Sequence, residues 1–190
     1  MAEKIPTLAE VVAEAHKETS YAQSMLSCAK KSSSGIAFFC AAHYGTSDVV
    51  FYLEGGVKEV CLVDHDAEQM TALMKIYPTE WSYMVGDAFS IAAKLVETKQ
   101  KYDLVSCEPW STQLNEVMIR YFKYFYALAK KTLVVQTPVS FFNEHKIAIT
   151  PQAISKFLSS THGFPVEVTC IVRRPDGNPY RVFIQKGKSS

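Results

Sequence analysis

Three short apolar runs in the middle of the chain each stop at a carboxylate: residues 60–63 at Asp64, 83–86 at Asp87 and 104–107 at Glu108, about twenty residues apart. An ionised carboxylate offers only acceptor oxygens, two per group. Three of them gathered together suit a ligand with vicinal hydroxyls, an exocyclic amine and a positive charge. The surrounding pattern says how they would gather. A short apolar run bounded by polar residues reads as a buried strand, and helix-length segments between such runs imply right-handed crossovers. Parallel strands joined in this way bring all their carboxyl ends to one edge of the sheet, where ligands of open α/β folds bind.

The elements that would position the acids follow in order. Thr7 and Glu10 make a capping box behind Pro6, opening a helix expected over 8–30 and broken by the Ser/Gly patch at 32–35. A strand over 36–42 turns at Tyr44 and Gly45, and a helix over 46–53 ends at Gly55 and Gly56. The second strand spans 58–64, and Asp66 with Gln69 caps a helix to Ile76. The pattern continues with a strand over 81–85, a helix over 89–98, a strand over 102–107 and a long helix over 114–130 carrying a Tyr/Phe stripe. A fifth strand is expected at 133–137, then a helix started by Thr150 and Pro151 and stopped by His162 and Gly163. Two last strands, 166–174 and 180–186, flank an Asp176-Gly177 turn and form an antiparallel hairpin.

Composition agrees with one globular unit. The chain has 190 residues, 48% of them hydrophobic, enough to bury a single-domain core, and a net charge of +1 that advertises neither a nucleic-acid nor a membrane surface. Its apolar stretches are broken well short of the roughly 20 residues a membrane span needs. Met1 to Pro6 lacks the pattern of a signal peptide, so the expected location is cytoplasmic. The five cysteines (Cys28, Cys40, Cys61, Cys107, Cys170) show no CxxC spacing and read as small hydrophobes. No histidine falls in a metal-ligand pattern, and no metal is expected.

Five parallel-type strands alternating with helices, then an antiparallel hairpin, resemble the class I S-adenosylmethionine-dependent methyltransferases over about residues 35–186. The resemblance implies a Rossmann-like three-layer α/β sandwich with a mostly parallel seven-stranded sheet ending in that hairpin. Residues 1–34 would then be an N-terminal helical extension, and 35–190 the methyltransferase-like domain. It also implies S-adenosylmethionine as cofactor. The segment from Gly56 to Asp64 is similar to the family's second strand, whose terminal acid holds the ribose hydroxyls; Val85-Gly86-Asp87-Ala88-Phe89 is similar to its adenine loop. Glu108-Pro109-Trp110 stands where amino-methylating members carry an acid or Asn, Pro, Pro and an aromatic.

The first loop departs from the family. Against an acid-x-Gly-x-Gly-x-Gly run, this chain sets Phe39, Ala41, His43 and Gly45, so only the last glycine survives. The implied cofactor site is Ala41, His43, Gly45, Asp64, His65, Asp87, Ala88 and Glu108, with Glu108 and Trp110 at the acceptor. The activity implied is methyl transfer to a nitrogen acceptor: a small amine, a protein side chain or a nucleobase. Two readings compete. A non-catalytic member would keep the fold as a binding or scaffolding module, as the eroded loop suggests. A nicotinamide-dependent oxidoreductase would also want an acid after its second strand, but the GxGxxG turn is missing.

Two features are set apart from the site. The rings at Tyr121, Phe122, Tyr124, Phe125 and Tyr126 are too closely spaced for all to face a core, which leaves some for a homodimer or protein partner through helix 114–130. Arg173, Arg174, Arg181, Lys186 and Lys188 make the last hairpin mildly basic, read first as a solvated edge and second as a nucleic-acid contact.

Overall fold

A continuous apolar strand needs cover on both faces, and the chain supplies it with a sheet between two helical layers. The computed structural model describes residues 4–45, 48–109, 111–173 and 180–186. Seven strands form the sheet: β1 (Ser34–Phe38), β2 (Glu59–Asp64), β3 (Ser82–Val85), β4 (Tyr102–Cys107), β5 (Ala129–Thr137), β6 (Glu167–Arg173) and β7 (Tyr180–Gln185). Their spatial order is β3-β2-β1-β4-β5-β7-β6. The pairs among β1 to β5 are parallel, while β7 runs antiparallel between β5 and β6. The expected closing hairpin is therefore present beside the fifth strand. Its Asp176-Gly177 turn, with Arg174, lies outside the described residues.

The pleat of β1 shows how the two cores arise. Ile36 and Phe38 face a cluster with Phe122, Phe125, Ile154 and Leu158, whereas Ala37 faces a second cluster with Met25, Phe51, Met70 and Leu73. The first cluster is built by α5 (Ala88–Glu97), α7 (Phe122–Leu128) and α9 (Pro151–His162). The second is built by α1 (Leu8–Ala15), α2 (Thr19–Ala29), α3 (Val49–Glu54) and α4 (Ala67–Ile76). Local signals hold at the ends of these helices. Asp66 accepts the amides of Glu68 and Gln69 at 3.0 and 2.9 Å, and Gly163 closes α9 at φ 73°.

Three of these expectations need correction, and one helix was not foreseen. The single helix over 8–30 is two helices, because His16 is pinned by its Nε2 to Glu54 Oε2 at 2.8 Å and by its ring edge to Phe51, which turns the chain. The first strand ends at Phe38 rather than residue 42, since Phe39 already has φ 58°. The helix over 114–130 is broken into α6 (Ser111–Asn115), a π turn (Glu116–Arg120) and α7, and β5 begins at Ala129. The extra residue of that turn, closed by the Tyr121 amide on Glu116 O at 2.8 Å, sends Phe122 and Phe125 fully inward and leaves Tyr121, Tyr124 and Tyr126 half-buried. A short helix α8 (Val139–Glu144) behind Pro138 was not anticipated; Phe141 and Phe142 hold it against the core.

Candidate functional site

The carboxyl rim of the sheet does collect the three acids. Asp64 closes β2 level with Val85 of β3, and the ladder runs one step further as the Gly86 amide donates to Asp64 O at 2.9 Å. Phe39 N donates to Val63 O and Glu108 N to Phe38 O, so the ends of β1, β2 and β4 stand at one height. Asp64 is 6% exposed and already engaged. Its Oδ2 accepts Ala41 N at 3.0 Å, its Oδ1 accepts Asp66 N at 3.1 Å, and His65 Nδ1 lies 3.0 Å from Oδ1. Two carboxylate oxygens have about four acceptor positions, and the His65 side chain is 66% exposed and replaceable. Asp87 is exposed, and its Oδ1 caps α5 through Ser90 N and Oγ at 2.8 and 2.6 Å. Its neighbour Ala88 is buried.

The first loop keeps the backbone that glycines would give, without the glycines. Phe39, His43 and Tyr44 have φ of 58°, 50° and 57°, in the left-handed region that L-residues adopt at a cost of roughly 1–2 kcal/mol each. Gly45 follows at φ 73°, where an added Cβ would stand 2.7 Å from Val49 Cβ. The conformation is held from outside: Tyr77 Oη donates to Tyr44 O at 3.0 Å, and Asp64 anchors Ala41. Phe39 is buried against Phe89, which stacks on Tyr121 at 4.4 Å. His43 is exposed and lines an open cavity of about 660 Å³ with Tyr44, Asp66 and Lys75.

Beside the acids lies a buried charged cluster that the sequence did not signal as such. Arg181, expected on a solvated edge, is 1% exposed, because β7 is an inner strand and its first residues reach this same rim by running antiparallel. Its Nη2 donates to Glu108 Oε1 at 2.9 Å, and its guanidinium sits 4.8 Å over the ring of Tyr21 from α2. Burial works against that charge but Glu108 outweighs it, so Arg181 titrates above its usual range. Asp48, fully buried at the start of α3, makes no capping bond; its Oδ2 instead accepts the hydroxyl of Ser106 on β4. Tyr52 Oη, 3.0 Å from Ser106 Oγ, extends the chain of polar contacts. Burial, then the charge of Glu108, pushes the Asp48 carboxyl well above the ordinary carboxylate range. The available signal was the hairpin's place: a strand flanked on both sides has no solvated face for a lone Arg. Nothing comparable marks Asp48, which the sequence places in the helix expected over 46–53 like any polar residue of a helix face.

Among the sequence-derived site residues, the structure thus brings Ala41, Asp64 and His65 into direct contact, places Asp87, Ala88 and Glu108 on the neighbouring strand ends, and turns His43 to the outer side of the loop. Trp110 lies outside the described residues, as do Thr46 and Ser47. No protein-family model and no curated protein matches the chain. Solved structures do. The O-methyltransferase TomG from Streptomyces achromogenes, in complex with SAM, superposes with a TM-score of 0.64 at 13% identity over 98% of this chain and 92% of that one. The O-methyltransferase from Bacillus cereus, in complex with SAH, gives 0.62 at 13% identity over 98% and 93%. TrmN from Thermus thermophilus gives 0.56 at 15% identity over 87% of this chain and 47% of that one. The chain spans about half the length of two further proteins it resembles, 50% and 47%; the latter is a candidate SAM-dependent methyltransferase from Streptococcus mutans.

Proposed function

This chain has the fold of the class I S-adenosylmethionine-dependent methyltransferases, and on that premise we propose that it transfers a methyl group from S-adenosylmethionine to a nitrogen acceptor. The observation that carries the reading is the rim itself: a carboxylate at the end of β2, another after β3 and a third after β4, beside a loop held in glycine-like conformation by residues with side chains. The donor set fits the cofactor. Asp64 takes the ribose diol, with one acceptor position open and a second released when His65 swings away; Asp87 takes the adenine amine, with the Ala88 amide beside it. Ala41 and Gly45 lie on the methionine side, with His43 turned away from it. The bound cofactor supplies an electrophilic methyl on a sulfonium. For such an in-line displacement the protein aligns the acceptor and keeps water out. Glu108, paired with Arg181, orients the amine, and Trp110, two residues on in the sequence, is assigned to the acceptor.

A second reading, the fold kept as a non-catalytic binding module, is favoured by one observation: Asp64 already serves Ala41, Asp66 and His65. Calorimetric titration with S-adenosylhomocysteine separates the two. Asp64→Ala is expected to weaken binding ten- to a hundredfold, about 1.5–3 kcal/mol. Asp66→Ala is expected to cost about 1 kcal/mol of helix stability and leave affinity in place. A wild type that binds no adenosyl ligand at millimolar concentration would end the enzyme reading; the opposite ranking of the two variants would move the ribose to Asp66.

A further inference from the structure

The five cysteines divide by depth. Cys40, Cys61 and Cys107 lie inside the two core clusters, and burial pushes their thiols up, Cys61 to about 11. A thiol so placed is inert. Cys28 and Cys170 are half-buried instead, and they line one open groove of about 330 Å³ between α2 and the last strands. They are far apart in the chain, so two separate features bring them to that groove. On α2, Tyr21, Met25 and Cys28 follow one another at helical spacing along the face that packs on the sheet. On β6 a bulge does the rest. Val168 faces the first cluster, and a regular strand would set Cys170 on the same side. The register shift between them turns Cys170, and Val172 after it, to the second cluster, where Cys28 also packs. The two thiols sense each other. Burial pushes the Cys28 thiol up, Lys31 and the Thr132 hydroxyl pull it down, and neighbouring Cys170 pushes it further up.

We propose that Cys28 and Cys170 are a thiol pair that closes to a disulfide when the chain meets a low-molecular-weight disulfide such as oxidised glutathione. The inference stands apart from the cofactor reading. Cys170, as its thiolate, attacks one sulfur of the reagent, and the S–S bond of the reagent breaks to release the first small thiol. Cys28, held protonated by burial, is the resolving group: on losing its proton it attacks the Cys170 sulfur of the mixed disulfide and expels the second small thiol. Two protons and two electrons thus pass from the protein thiols to the reagent. The elements joined are peripheral ones. β6 is the edge of the sheet, paired on one side by β7, and α2 carries Tyr21, whose ring lies under the Arg181 guanidinium. A disulfide holds its two Cα atoms about 4.4–6.8 Å apart, so closure fixes the end of α2 against β6 and shuts the groove. Because the loop it closes is long, the bond removes much freedom from the unfolded chain.

The test treats the reduced full chain with oxidised glutathione, quenches it with iodoacetamide and maps its peptides without reductant. The expected product is a peptide pair joined through Cys28 and Cys170, from an intact chain lighter by the two thiol hydrogens. Its melting temperature should lie roughly 5–10 °C above that of the reduced chain and fall back on addition of dithiothreitol. Cys28→Ser should stop at the mixed disulfide on Cys170, and Cys170→Ser should stay reduced. The wild-type map carries the test if either variant fails to fold. A wild type that stays reduced, keeps one glutathione on Cys170 or links into dimers would overturn the proposal. So would a joined pair that leaves the melting temperature unchanged.

Discussion

The two ends of the sheet treat a buried carboxylate in opposite ways. At the amino end, Asp103 ties β4 to Ser33 before β1 and to Lys131 of β5, where a register shift sets Asp103 alone opposite Lys130 and Lys131. Hydrogen bonds from Ser33 and the Lys131 ammonium outweigh the opposing effect of burial, and the carboxyl titrates below its usual range. At the carboxyl end, Asp48 has one partner through its side chain and titrates far above that range. A satisfied acid stabilises a fold, whereas an unsatisfied one is held in place by the rest of the fold. The difference separates a fully paired staple from a buried cluster with polar atoms left unpaired.

The largest effect should come from breaking the carboxyl-end pair. Arg181→Met leaves Glu108 buried without its cation and is expected to cost about 3–5 kcal/mol in denaturant unfolding, with much of it recovered in the Arg181→Met/Glu108→Leu double variant. Asp103→Ala should cost less, about 1–3 kcal/mol, because Ser33 N and Lys131 can turn to water. If Asp103→Ala proved the more damaging, the amino end would be the less replaceable of the two.

Titration sharpens the contrast, because the two acids contribute with opposite sign. The folded-state pKa of Asp103 is depressed, so its stabilisation is present above the ordinary value of 3.8 and lost as pH falls through the depressed one. The folded-state pKa of Asp48 is raised, so its contribution is complete below 3.8 and lost as pH rises through the raised value. Asp48→Asn, which mimics the protonated acid, is therefore expected to melt with the wild type at pH 4 and above it at pH 8. Identical melting curves at both values would show that Asp48 is ionised at no cost.

The smallest effect concerns the loop between these regions. His43→Gly removes a left-handed side chain but adds backbone freedom to the unfolded state, so a gain of no more than about 1 kcal/mol is expected in the same unfolding assay. A clear loss would mean that the imidazole itself holds the loop.

What could be read in advance follows the same division. The apolar runs ending at Asp64, Asp87 and Glu108 were legible because strands covered on both faces are continuous in sequence and stop abruptly at the rim. The closing antiparallel hairpin was legible from its turn, but which of its strands stands beside β5 was not, because the sequence of the two strands is compatible with either place. The break at Tyr121 was not legible: a π turn adds one residue without changing composition, and only the conflict among adjacent rings hinted at it. Arg181 was misplaced because a basic hairpin resembles a solvated edge until its neighbours are known. Asp48 was silent because its partners, Ser106 on β4 and the charges of Glu108 and Arg181, come from parts of the chain far from it in sequence.

The position of β7 has a consequence for synthesis. Made last among the described strands, it is inserted between β5 and β6, which are made earlier. Until residue 180 and its successors leave the ribosome, β5 keeps an open edge and Glu108 has no Arg181 to face. The amino-end staple, complete once Lys131 has emerged, is ready while the charged cluster at the other end is still missing its cation. The growing chain can therefore close its scaffold before it can close its site, and a truncated product would carry the first without the second.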